Sequence, residues 1–85
     1  MKALFCELEA ATLVIEAAEH GFYLYTFRSK SGESDTWHQS LTDAQHQAKY
    51  EWPDAEIGWQ PVPDTVSDLQ EFGRATSRPM TTGSG

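Results

Sequence analysis

The chain has 85 residues, enough for one small domain, and thirteen acidic against six basic residues give it a formal net charge of −7. A surface this acidic is repelled by nucleic-acid backbones and by anionic lipid, so we expect direct binding to neither. Cys6 is the single cysteine, which excludes a disulfide within the chain and indicates a reducing compartment. With no signal-peptide pattern and no apolar run of membrane-spanning length, we expect a cytoplasmic protein.

The N-terminal third alternates between apolar and polar side chains. Residues 3–9 and 12–18 both show this period of two, which is typical of β-strands. A helical period also runs through the same stretch, and its alanines and glutamates favour a helix by propensity. The β-branched residues among 12–15 and the turn that follows favour the strand interpretation.

A hairpin is predicted next. Glu19, His20 and Gly21 form a three-residue loop in which Gly21 takes the left-handed conformation, and the aromatic run 22–28 is a strong strand. This loop places Ile15 opposite Tyr25 and leaves one face of the ribbon wholly apolar. The other face mixes acidic and apolar side chains and is a candidate recognition face, formed by Phe5, Val14, Phe22 and Leu24 with Glu7 and Glu16.

After the hairpin, the spacing of the apolar residues changes from a period of two to the helical period of 3.6. Residues 35–39 form a short strand centred on Trp37, and Ser40 is the expected N-cap of a helix that ends at Pro53. One stripe of this helix is apolar and should pack on the sheet; it consists of Leu41, Ala44, Ala48 and Trp52.

The C-terminal part predicts a last edge strand over 57–62, limited by prolines, and a short helix over 64–73 that Gly73 terminates. Residues 74–85 have the composition of a disordered tail. The expected architecture is α+β: an antiparallel sheet made of a three-strand meander plus short strands, with one main helix packed on it and a short C-terminal helix. The domain would span residues 1–73.

The densest polar and aromatic segment is Asp35, Thr36, Trp37 and His38. Alternation in a strand puts Asp35 and Trp37 on one face and Thr36 and His38 on the other. His38 therefore has Thr36 beside it rather than the carboxylate that would orient it for acid–base chemistry. We expect Trp37 in the core, and Asp35, Trp37 and His38 remain polar-site candidates.

Three positions are candidate partner contacts outside the sheet face. His46 and Tyr50 lie four residues apart on the solvent side of the helix, and an exposed aromatic there favours an interface. Trp59 lies near prolines on the edge strand and is either core or a partner anchor. On the sheet face the candidates are Phe22, Leu24 and Glu16.

Neither a metal site nor a reactive thiol is expected. The spacing of the three histidines matches no metal-ligand motif, and we expect no cofactor. Cys6 alternates with Leu4 and Leu8, so we expect it to be a small buried side chain.

The run from Glu33 to Leu41, which contains Asp35-Thr36-Trp37-His38, is followed by an alanine-rich helix that ends Tyr50-Glu51-Trp52. Together with the preceding Gly21–Tyr25 segment, it resembles small bacterial proteins that have no assigned activity. The resemblance covers roughly residues 12–62. It implies a fold, and it implies no catalytic residues.

The sequence contains no constellation specific enough to name a reaction, and no catalytic residue is assigned. The favoured hypothesis is a small, acidic, non-enzymatic protein-interaction module that binds a basic protein surface or a second copy of itself. The alternative is a small enzyme or ligand-binding domain with a site around His38, His46 and Tyr50. That alternative predicts a concave site near the start of the helix.

Overall fold

The computed structural model describes residues 3–28 and 32–77, which form an antiparallel five-stranded sheet with one helix on each face. The strands are β1 (Ala3–Glu7), β2 (Ala11–Ala17), β3 (Phe22–Arg28), β4 (Gly32–His38) and β5 (Gln60–Pro61), and the helices are α1 (Leu41–Glu51) and α2 (Leu69–Ser77). In space the strands follow the order β4-β3-β2-β1-β5. The α+β prediction is confirmed, and residues 11–17 are a strand rather than a helix.

Alternation along β2 sends side chains into two separate cores. Leu13 and Ile15 pack beneath α1, whereas Val14 packs beneath α2. All five residues from Ala11 to Ile15 are buried because both faces of this central strand are covered. The α1 core contains Leu13, Ile15, Leu24, Ala44 and Ala48, and the α2 core contains Ala3, Val14, Phe27, Val62 and Leu69.

The predicted register of the β2–β3 hairpin is wrong by one residue. Ile15 lies opposite Leu24 rather than Tyr25, because the turn has four residues, Ala18–Gly21, closed by a 2.8 Å bond from the amide of Ala18 to the carbonyl of Gly21. Gly21 does not have a positive φ; among the glycines of the described residues only Gly32 does, at 91°. The register prediction assumed one apolar face, and this sheet has two.

Helix α1 begins and ends as predicted. The hydroxyl oxygen of Ser40 accepts a 3.0 Å hydrogen bond from the amide of Asp43, which caps the first turn. At the other end the amide of Trp52 donates to the carbonyl of Ala48, and Pro53 follows. The stripe of Ala44 and Ala48 faces the sheet and is fully buried.

The C-terminal part differs from the prediction in extent. Strand β5 has only two residues because Pro61 and Pro63 cannot donate to a ladder. Helix α2 begins after Asp68, whose carboxylate accepts from the amides of Gln70 and Glu71, and it runs through Gly73 to Ser77. Gly73 therefore does not terminate the helix, and the domain extends past residue 73. The rest of the predicted tail, 78–85, lies outside the described residues.

Neither described helix combines the length and the apolar character needed to cross a bilayer.

Candidate functional site

An open groove runs between the C-terminal end of β4 and the outer side of α1. Its volume is about 730 Å³, and we call it the aromatic groove; it is lined by Trp37, His38, Gln39, Asp43, His46, Gln47 and Tyr50. The turn capped by Ser40 reverses the chain between the two elements, so that α1 runs back beside the strand it follows. The lining residues of α1 extend from Asp43 in its first turn to Tyr50 near its C-terminal end.

The groove carries the large exposed aromatic side chains of the described residues. The side chain of Tyr50 is 80 % exposed and that of Trp37 is 48 % exposed. Tyr50 lies on the solvent side of α1 because the opposite side holds the buried alanines. Exposed aromatic residues are enriched at protein interfaces, so two of them beside one groove favour a partner site.

The prediction that Trp37 packs in the core is wrong. Trp37 lies opposite Tyr23 in the register and shares the α2 face of the sheet with Asp35. Helix α2 packs mainly over β2 and β3 and reaches β4 through the Arg74–Glu33 ion pair, at the end of the strand away from Trp37. The exposure of Trp37 thus follows from its place on an edge strand.

The two histidines of the groove differ in their surroundings. Nε2 of His38 lies 2.7 Å from the hydroxyl oxygen of Thr36, so these two residues share a face, as the alternation predicts. His46 is exposed on α1. Asp35 belongs to the opposite face and does not line the groove with His38. His20 lies in the β2–β3 turn and is absent from the groove.

The predicted recognition face on the sheet does not exist as one surface. Phe22 and Leu24 pack into the α1 core, whereas Phe5 and Val14 pack into the α2 core. Leu24 is only 1 % exposed. There are two causes: the register error grouped side chains that point to opposite faces of the sheet, and the second helix covers the face that the prediction left open.

Two other candidates lie away from the groove. Trp59 is partly buried against the α1 core, which favours the core interpretation over a partner anchor. Glu16 is partly buried, and its carboxylate accepts a 3.0 Å hydrogen bond from the hydroxyl of Tyr25. That hydroxyl is held protonated: burial, followed by the bond to Glu16, raises the pKa of Tyr25 to about 12.

The edge strand next to the groove is acidic. Glu33 and Asp35 lie on β4, and Asp43 lines the groove, while the lining contains no lysine or arginine. Arg74 of α2 donates to both carboxylate oxygens of Glu33, with a distance of 3.1 Å from Nη2 to Oε1. This ion pair lowers the pKa of Glu33 and joins α2 to the edge strand.

Sequence reasoning missed a second concave surface of about 680 Å³ at the other end of α1. Five carboxylates surround it, from Glu7, Glu9, Glu51, Asp54 and Glu56. The acids beside the β1–β2 turn and those after α1 meet here because both segments lie at the same end of the sheet. Across the described residues, no three histidine, cysteine, aspartate or glutamate side chains converge in a way that could hold a metal ion.

No protein-family model matches the chain, and searches of the curated proteins and of the solved structures each returned no match.

Proposed function

We propose that this chain is a non-enzymatic protein-interaction module that binds a basic surface of a partner protein through the aromatic groove. The observation that carries the proposal is the exposure of two aromatic residues that both line the groove, Trp37 at the end of β4 and Tyr50 on α1. Tryptophan and tyrosine dominate the binding energy of many interfaces, because each covers a large area with few rotatable bonds.

Charge supplies the preference for a basic partner. The net charge of −7 attracts a basic surface at long range, and Asp43 places a carboxylate inside the groove itself. Binding should therefore weaken as salt is added, since exposed charges are screened within about 10 Å at 0.1 M salt.

The proposal is tested with single substitutions in the groove. A partner is captured from the native host, identified by mass and purified, and its affinity is measured by calorimetry for the wild type, Trp37→Ala and Tyr50→Ala. We expect each variant to lose about tenfold or more in affinity. Tyr50 is the safer position because its side chain is mostly exposed, so the fold does not depend on it.

Thr42→Ala is the matched control, because Thr42 is exposed on α1 and does not line the groove. It should leave the affinity unchanged. Unchanged affinity in both aromatic variants, with the partner still bound, would exclude the groove as the docking site.

A second candidate is a small enzyme or ligand-binding domain, and one observation favours it: His38, His46 and Tyr50 line the same groove. The groove is open to solvent, however, whereas sites for small ligands usually bury most of the ligand. Nε2 of His38 is also engaged by Thr36. A small-molecule screen by NMR separates the two candidates, because this candidate requires a compound whose shifts centre on His38 and His46.

A further inference from the structure

The two edge strands of the sheet, β5 and β4, differ in how many backbone hydrogen bonds they can offer to an added strand. At one edge β5 has two residues and contains Pro61, so it offers almost no ladder for another strand. At the other edge β4 has seven residues and pairs with β3 in unbroken register from Phe22–His38 to Arg28–Gly32. It contains no proline and no bulge, and the charged side chains that protect such an edge are here acidic, so they disfavour an acidic strand more than a basic one.

The side chains of β4 restrict what can pair with it. Glu33, Asp35 and Trp37 alternate along the strand and share its α2 face; Asp35 is exposed, whereas Glu33 is paired with Arg74. Residues that lie opposite one another across a strand pair come within about 5 Å, so the charge on this face selects the incoming strand. Trp37 also lines the aromatic groove, which places the groove at the end of this edge.

A second copy of the chain fits this edge poorly. Two β4 strands related by a twofold axis perpendicular to the sheet would set the acidic residues of one copy opposite or diagonal to those of the other. Asp35 would then face a second carboxylate, which opposes pairing. A strand with basic side chains at alternate positions would instead be attracted to this edge, because its cations would face the carboxylate of Asp35 and the indole of Trp37.

We infer that an extended, basic segment of the partner adds to β4 as a sixth strand, with lysine or arginine at alternate positions facing Asp35 and Trp37. This inference rests on the proposed interaction function and specifies its geometry. Main-chain hydrogen bonds to the open edge hold the segment, and the acidic and aromatic face selects its sequence. The residues that follow the segment then reach the aromatic groove, beside Tyr50.

The test uses the full chain, labelled with ¹⁵N, and a capped heptapeptide, Lys-Thr-Lys-Val-Lys-Thr-Lys, as the probe. We expect chemical-shift changes and slowed amide exchange along β4. N-methylation of alternate peptide residues should weaken binding about tenfold or more, because it removes donors to the ladder, whereas methylation of the intervening residues should have little effect. Equal affinity of the two N-methylated peptides would overturn strand addition.

A charge reversal provides the matched control. Asp35→Lys should lose affinity for the lysine peptide and gain affinity for the same peptide with glutamate at each lysine position. Asp35 is exposed, so this variant should keep its fold. Asp35→Asn should lie between the wild type and the reversal for both peptides. Equal binding of both peptides to all variants would contradict selection by charge.

The outcomes separate this inference from the proposed function. If neither peptide binds, or if wild-type chains dimerise through β4, strand addition by a basic segment is overturned. The proposed interaction through the aromatic groove then still stands, provided that Trp37→Ala and Tyr50→Ala weaken the binding of the captured partner. If those two variants bind the partner normally while the peptide protects β4, the groove proposal fails and the edge alone remains.

Discussion

Gly21 lies so close to the indole of Trp37 that a β-carbon added there would be 2.5 Å from Cζ2 of the ring and 2.5 Å from the carbonyl oxygen of His38. Gly21 is buried, and its φ is not positive. The position therefore requires glycine for lack of space rather than for conformational freedom. The ring of Trp37 rests on this bare backbone, which holds the indole at the end of β4.

The first prediction concerns Gly21→Ala. The added methyl group must displace the indole or the end of β4, and we expect a loss of about 1–3 kcal/mol in the free energy of unfolding. The indole N–H resonance of Trp37, identified with Trp37→Phe, should shift, and partner affinity should fall. Gly58→Ala is the control, because a β-carbon at Gly58 meets no atom within 4 Å. Equal stability of the two variants would contradict this account.

The second prediction concerns the packing of α2 on the sheet. A β-carbon at Gly73 would overlap the ring of Phe27, which is 2 % exposed. In an exposed helix Gly→Ala gains about 1 kcal/mol, but here we expect Gly73→Ala to destabilise the fold by about 1–3 kcal/mol. Urea unfolding of Gly73→Ala, Phe27→Leu and the double variant should show a coupling of about 0.5 kcal/mol or more. Additive effects would exclude this steric contact.

The third prediction is a pH dependence at acid pH. Arg74 lowers the pKa of Glu33 below its ordinary value of 4.5 in the folded state. The ion pair therefore contributes stability above that ordinary value, and the contribution disappears as the pH falls through the lowered pKa. Glu33→Gln should unfold more easily than the wild type near neutral pH, and the difference should shrink on acidification. Urea unfolding at several pH values measures the difference in the free energy of unfolding between Glu33→Gln and the wild type. A difference that does not change with pH would contradict this prediction.

The fourth prediction is a pH dependence at alkaline pH. The pKa of Tyr25 is raised from 10.0 to about 12, mainly by burial and then by the bond to Glu16. This raised pKa contributes stability that is complete below pH 10.0 and is lost as the pH rises towards 12. Tyr25→Phe should abolish this loss of stability between pH 10.0 and pH 12. Near neutral pH it should cost about 0.5–1.5 kcal/mol, the usual contribution of one hydrogen bond.

Ultraviolet absorbance provides a direct check on the same group. Subtraction of the alkaline titration of Tyr25→Phe from that of the wild type should leave one phenol that ionises near 12. A difference curve centred on 10 would show that the hydroxyl of Tyr25 is not held by Glu16.

Local patterns were sufficient to predict the elements with strong periodicity. The Ser40 cap and the alanine stripe of α1 depend on neighbours within one or two turns, and both are confirmed. The face shared by Thr36 and His38 depends only on alternation in β4. Of the groove, His46 and Tyr50 were predicted for the same reason, because they share the helix side opposite the buried alanines.

Non-local packing explains the errors. The burial of Val14 and Phe5 depends on α2, which is distant in sequence and covers the face that the prediction left open, whereas the hairpin register assigned Leu24 to the wrong face. The exposure of Trp37 depends on the main packing of α2 over β2 and β3 rather than over the edge strand. The space at Gly21 exists only because β4 places an indole beside a turn, and no short-range pattern in the sequence reports that contact.

Pro61 has a consequence for stoichiometry. A sheet with two long free edges can add strands on both sides and polymerise, whereas among the described residues only β4 offers a long edge, since β5 has two residues and contains Pro61. Strand addition at β4 alone would admit one incoming chain per molecule, so we expect titration to saturate at an equimolar ratio and to yield no fibres.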